Sequence, residues 1–165
     1  MYRVNDVVFG ELSLFLSWSR NTSIDFCGNL SEIELIIDGE EDGKFDKEQY
    51  DAYLAFMGNW ETLQYNILQS ILDYYIQRRH ELGYDVGHNE DYPLIDTAEQ
   101  LLKYINLDGI IIKSADLSKY IDVGLTFSCR WDDDKKFIQD LRIAYIENAN
   151  DIPFLISTKK ITYSS

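Results

Sequence analysis

The stretch Ile121-Asp122-Val123-Gly124-Leu125-Thr126-Phe127-Ser128-Cys129-Arg130-Trp131 is apolar at every second position. Side chains on a pleated backbone alternate between its two faces, so six successive matches to a period of two predict a strand with one apolar face. Strands of this kind build antiparallel sheets with one buried and one wet side. Downstream, Leu141, Ile143 and Tyr145 repeat the alternation as its partner, across a hairpin loop over residues 132–136. Residues 152–156 and 161–163 read as edge strands. Upstream, Leu12, Leu14, Leu16 and Trp18 alternate with serines and Phe15, which predicts one strand over residues 12–18. Ile24 and Phe26 suggest a short strand, and Ile33, Leu35 and Ile37 a further one.

The middle of the chain changes period. Asp46 and Gln49 form a capping box, and Phe45 and Tyr50 flank it as a hydrophobic staple. Tyr50, Tyr53, Leu54 and Met57 follow at helical spacing, and Gly58 is a stop signal. A longer helix is expected from Asn59 to Gly83, with Leu63, Ile67, Ile71 and Tyr74 in one stripe, widened by Leu68, Leu72, Tyr75 and Ile76. Residues 81–93 read as an exposed loop. Asp96 and Glu99 then box a third helix, with Leu101, Leu102, Tyr104 and Ile105 inward and Gly109 as its end. The expected fold is therefore α+β: a largely antiparallel sheet with a central long helix and two shorter helices on one face, in a single domain spanning residues 1–165.

Composition narrows the function. The chain holds 29 acidic and 15 basic side chains, a net charge of −14. No domain-wide basic footprint is available for phosphate backbones, so nucleic-acid binding is disfavoured. Residues 1–134 carry 26 acids against 10 bases, whereas residues 135–165 carry 3 against 5. Such a surface keeps a protein soluble, and it also steers cationic partners. Cys27 and Cys129 read as small core thiols of a cytosolic protein, a single long-range disulfide being the alternative. The first residues lack the unbroken apolar stretch of a signal sequence, and no run is long enough to span a bilayer.

Chemical motifs are incomplete. Asp38, Glu40, Asp42, Gly43 and Asp46 take positions 1, 3, 5, 6 and 9 of a calcium loop, but position 12, which should be a bidentate glutamate, is Gln49. The alternative is an acidic strand-to-helix loop with Asp46 as cap. Gly39 to Lys44 imitates a P-loop one residue short, with Phe45 where a Ser or Thr would hold magnesium. Asp132, Asp133 and Asp134 suggest a chelating triplet or an acidic hairpin turn. His80 and His88 sit in no metalloprotease motif, and no serine stands in a nucleophile elbow. No catalytic residue, metal ligand or cofactor is assigned. The twelve tyrosines are core rings with wet hydroxyls, or anchors of a binding surface.

Taken together, Ile33-Leu35-Ile37, Gln49, Tyr53, Phe56, Tyr74-Tyr75, Ile110-Ile112 and Cys129-Arg130-Trp131-Asp132 resemble a family of small bacterial proteins of unknown function. Some of these have been proposed as immunity proteins of polymorphic-toxin loci. Relatives tend to continue Trp-Asp with Glu-His-Gly, whereas Asp133, Asp134 and Lys135 stand here, so any role of that histidine is absent. The resemblance implies an immunity protein, and the acidic surface implies that the toxin it neutralises is basic. On this reading the partner-binding residues are Asp38, Glu40, Glu41, Asp42, Asp132, Asp133 and Asp134, at loops flanking strand ends. The alternatives are an enzyme with an unrecognised carboxylate or metal site, and a calcium-binding structural domain.

Overall fold

The computed structural model describes residues 2–85, 89–131, 139–152 and 162–164. Among the described residues, eight strands form one sheet in sequence order: β1 (Tyr2–Asp6), β2 (Gly10–Leu14), β3 (Trp18–Phe26), β4 (Asn29–Ile37), β5 (Ile105–Ile112), β6 (Val123–Cys129), β7 (Gln139–Ile146) and β8 (Thr162–Ser164). Every neighbouring pair is antiparallel except β4 and β5. A parallel pair needs a long crossover. Here it contains the three helices, α1 (Lys47–Gly58), α2 (Trp60–Glu81) and α3 (Ala98–Leu101). The fold is α+β, with the long α2 at the centre of the helical face. None of the described helices is long and apolar enough to cross a membrane.

The alternating strand forms as its pattern requires. Ile121, Val123, Leu125, Phe127, Cys129 and Trp131 are all buried, and Ile33, Leu35 and Ile37 lie beside them in the same core. On α2, Leu63, Ile67, Leu68, Ile71, Leu72 and Tyr75 are buried, while Tyr74 is half-buried and Ile76 is exposed.

Several expectations need correction. The run over residues 12–18 is two strands: β2 ends at Leu14, and β3 begins at Trp18 as its register partner. Residues 15–17 are the hairpin tip, with Phe15 and Leu16 exposed. The alternation had continued straight through a turn. The buried face of α1 carries Gln49, Ala52 and Phe56 rather than the stripe through Leu54 and Met57, which are exposed. Tyr50 and Tyr53 of that stripe are half-buried against the core. The third capping box uses Thr97 and Gln100, one residue later than Asp96 and Glu99.

Gly109 ends no helix; it lies inside β5. The buried positions there are Ile105 and Leu107, then Ile110 and Ile112, a one-residue change of parity. The register shifts between Leu107 and Gly109, so Asp108 is the extra residue of a bulge, which breaks period two and hides the strand. A β-carbon on Gly109 would sit 2.7 Å from Thr126 Oγ1 and 3.2 Å from the Glu34 carbonyl oxygen. Neither neighbour is the end of a long flexible chain. Gly109→Ala is therefore expected to cost about 1–3 kcal/mol, read as a lowered urea midpoint. An unchanged midpoint would show that β4 and β5 are not packed this tightly at their junction.

The segment after α2 is not simply exposed. Tyr92 is buried; its carbonyl accepts from Arg79 Nε at 2.9 Å, and the Pro93 carbonyl accepts from Tyr75 Oη at 2.5 Å. Arg79, in the last turn of α2, is 5% exposed and pins this return segment. Residues 86–88, which include His88, and the predicted strand positions 153–156 and 161 lie outside the described residues.

Candidate functional site: an acidic loop and a cleft between splayed strands

The two proposed acidic clusters have different standing. Asp132, Asp133 and Asp134 lie outside the described residues. Asp38, Glu40, Glu41 and Asp42 form the exposed link from β4 to α1. Asp38 Oδ2 accepts from Ser114 Oγ at 3.1 Å and Ser114 N at 3.3 Å, which ties the loop to the segment after β5. Asp42 Oδ1 accepts from Lys44 N at 3.0 Å. The Glu40 carbonyl accepts from Trp18 Nε1 at 2.7 Å, beneath the loop. Glu40 and Glu41 therefore project from a loop held by its neighbours' bonds and by the backbone.

The residue at calcium position 12 is committed elsewhere. Gln49 is 1% exposed. Its Oε1 accepts from Asp46 N at 2.9 Å, and its Nε2 donates to the carbonyls of Asp38 at 2.7 Å and Ile112 at 3.4 Å. Asp46 completes the capping box. The loop is thus an acidic strand-to-helix connection closed by a buried amide. Among the described residues, no group of three or more His, Cys, Asp and Glu side chains is placed to hold a metal ion.

At the other end of β4 lies a cleft that the sequence does not announce. The β4–β5 ladder joins only Glu34–Ile37 to Gly109–Ile112. Before it, β4 continues from Asn29 paired to β3, and β5 continues from Ile105 paired to β6. Between these separated halves opens a space of about 490 Å³, lined by residues including Phe26, Leu30, Glu32, Leu102, Asn106 and Asp108. That volume lies within the ~300–1,000 Å³ range of ligand pockets.

Hairpin geometry assigns the backbone groups along its walls. Cys27 and Gly28 both have positive φ, 51° and 89°, as a two-residue turn between right-twisted strands requires. Such a turn makes Phe26 and Asn29 a hydrogen-bonded pair, and alternation then directs Asn29, Ser31 and Ile33 toward β3. Leu30 and Glu32 thus turn their N–H and C=O groups toward the cleft. On the opposite wall, Arg130 N donates to the Tyr104 carbonyl at 2.9 Å. The same alternation directs Asn106 toward β6, and Ile105 and Leu107 toward the cleft.

Helix α2 holds the hairpin in place. Trp60 Nε1 donates to the Asp25 carbonyl at 2.7 Å, and Cys27 N donates to Gln64 Oε1 at 2.5 Å. Burial, with Asp25 and Glu99 adding negative potential, pushes the Cys27 thiol up to about 11. It stays protonated near neutral pH and is a weak nucleophile. Both cysteines are free thiols.

No pattern in the sequence marks this cleft. The bulge hid β5, and without β5 no parallel junction could be inferred. No curated protein and no solved structure matches the chain. Residues 8–153 match one family along most of the chain's length, and the chain belongs to that family, described as a domain of unknown function (DUF6985).

Proposed function

We propose that the chain is an acidic protein-binding module that captures a basic partner, in the manner of an immunity protein neutralising a toxin. The observation that carries this reading is the loop between β4 and α1. Glu40 and Glu41 stand exposed on a backbone that Asp38, Trp18 and Gln49 hold in one conformation. Preorganised charge of one sign accelerates encounter with its opposite, and the effect falls with added salt. The net charge of −14 extends the same field over the molecule. The family resemblance noted in the sequence supports the toxin as the partner class.

The test is co-expression with a toxin-like product of a neighbouring gene. Growth should be restored, and the purified pair should associate at a rate that falls as salt rises. The double variant Glu40→Gln, Glu41→Gln should slow association at low salt and leave the dissociation rate nearly unchanged, because rim charges act mainly on encounter. A neighbouring toxin that the chain neither binds nor neutralises would remove the immunity reading. An association rate indifferent to salt and to the double variant would remove the electrostatic one.

A further inference from the structure

The cleft between β4 and β5 has the parts of a strand-acceptor site. We infer that it receives a short extended segment of a basic protein, which pairs through its backbone with Leu30 and Glu32 on one wall and with Ile105 and Leu107 on the other. This deepens the protein-binding reading and rests on it.

Two facing strand edges are an unusual feature in the interior of a sheet. Neighbouring strands normally satisfy each other's N–H and C=O groups at a spacing of about 4.8 Å. Here β4 and β5 keep that spacing only from Glu34 and Gly109 onward. Among the described residues, each strand is paired toward Asn29 and Ile105 on its outer side alone. An exposed strand edge is a template for another strand, and extended peptides bind by adding to such edges. Main-chain bonds supply affinity there, while pockets for alternate side chains supply selectivity.

Charge selects the occupant. Glu32 and Asp108 line the cleft, and no lysine or arginine does so among the described residues. Asp25 and Glu99 add negative potential at the hairpin end, where both act on the Cys27 thiol. Phe26, Ile105 and Leu107 form a buried apolar floor. The matching segment therefore alternates apolar residues, facing this floor, with lysine or arginine facing outward. The β4 wall, held at its hairpin by Trp60 and Gln64, needs little ordering when a segment arrives, which lowers the cost of binding.

The test uses a nine-residue peptide of alternating lysine and valine with blocked ends, titrated into isotope-labelled full-length chain. The amides of Leu30, Glu32, Ile105 and Leu107 should shift together and saturate. The same peptide N-methylated at alternate residues keeps its charge and loses backbone donors; it should bind about tenfold more weakly. Leu30→Pro, which removes one wall donor, should weaken the unmodified peptide similarly. The methylated peptide tests the same point should that variant not fold. Equal binding of both peptides, shifts centred on Glu40 and Glu41, or no shift at the four cleft amides would each overturn the inference. A partner that still associates in a salt-dependent way after such a result would leave the protein-binding reading standing. Loss of that association together with intact peptide pairing would remove the basic-toxin reading and keep the strand-acceptor site.

Discussion

Trp131→Ala is expected to lower the unfolding free energy by about 3–5 kcal/mol, the range for deleting a large aromatic from a packed core. Trp131 is 1% exposed just beyond the end of β6. Its ring meets Tyr75 edge-to-face with centroids 4.7 Å apart. Tyr75 in turn donates to the Pro93 carbonyl, so one indole joins the strand end, the central helix and the return segment. Removing it leaves a cavity that these three elements cannot close together, since each is held elsewhere. For a chain of this size the loss corresponds to a melting temperature lower by roughly 6–20 °C. A variant melting within a degree or two of the parent would place Trp131 on the wet face, since a one-residue slip in register exchanges the two faces.

Gln49→Leu is expected to cost about 2–4 kcal/mol, although it replaces a polar side chain by an apolar one of similar size in a buried place. The cause lies in the groups left behind. The Asp46 N–H and the Asp38 carbonyl each lose a short partner, and the Ile112 carbonyl loses a longer one. A buried polar group without a partner costs more than the bond itself contributes. Chemical denaturation checks this. A loss below a few tenths of a kcal/mol would show that water replaces the amide there. Gln49→Glu supplies the second arm. It restores the carboxylate of a calcium loop, but aims it at two carbonyl oxygens inside the fold. This variant should also be destabilised, and calcium should not raise its melting temperature. A calcium-dependent rise would revive the metal reading, because a ligand that binds only the native state stabilises it.

Legibility followed the kind of signal. The strand of Ile121 to Trp131 was readable because every apolar position lies on the one wholly buried face, while the alternate polar residues are half-buried or exposed. The box at Asp46 and Gln49 was readable because capping is a local hydrogen-bond pattern. The hairpin tip at Phe15 and Leu16 was not, because both residues are apolar yet exposed, and apolar residues on a surface carry no local mark of the turn. Strand β5 was lost to its own bulge. Gly109 resembled a helix stop, whereas its missing side chain serves the close approach of Thr126 and Glu34. The tertiary partners of Arg79 and Gln49 were not legible, since nothing near them in sequence shows the carbonyls that receive their protons.

The amino-acid sequence by itself determined the α+β class, the one-sided strands, the long central helix and the excess of negative charge. These follow from period, caps and composition, all local or additive properties. Only the tertiary structure decided that β4 and β5 run parallel, that they meet over four residue pairs, and that they part before them to leave a cleft. The physical reason is that a cleft belongs to the separation of two strands lying more than sixty residues apart in the chain. Neither strand carries a residue pattern that depends on the space between them. Trp60 and Gln64 hold the hairpin end of β4, and the bulge at Asp108 shifts the register of β5 against β6, contacts that exist only once distant segments have come together.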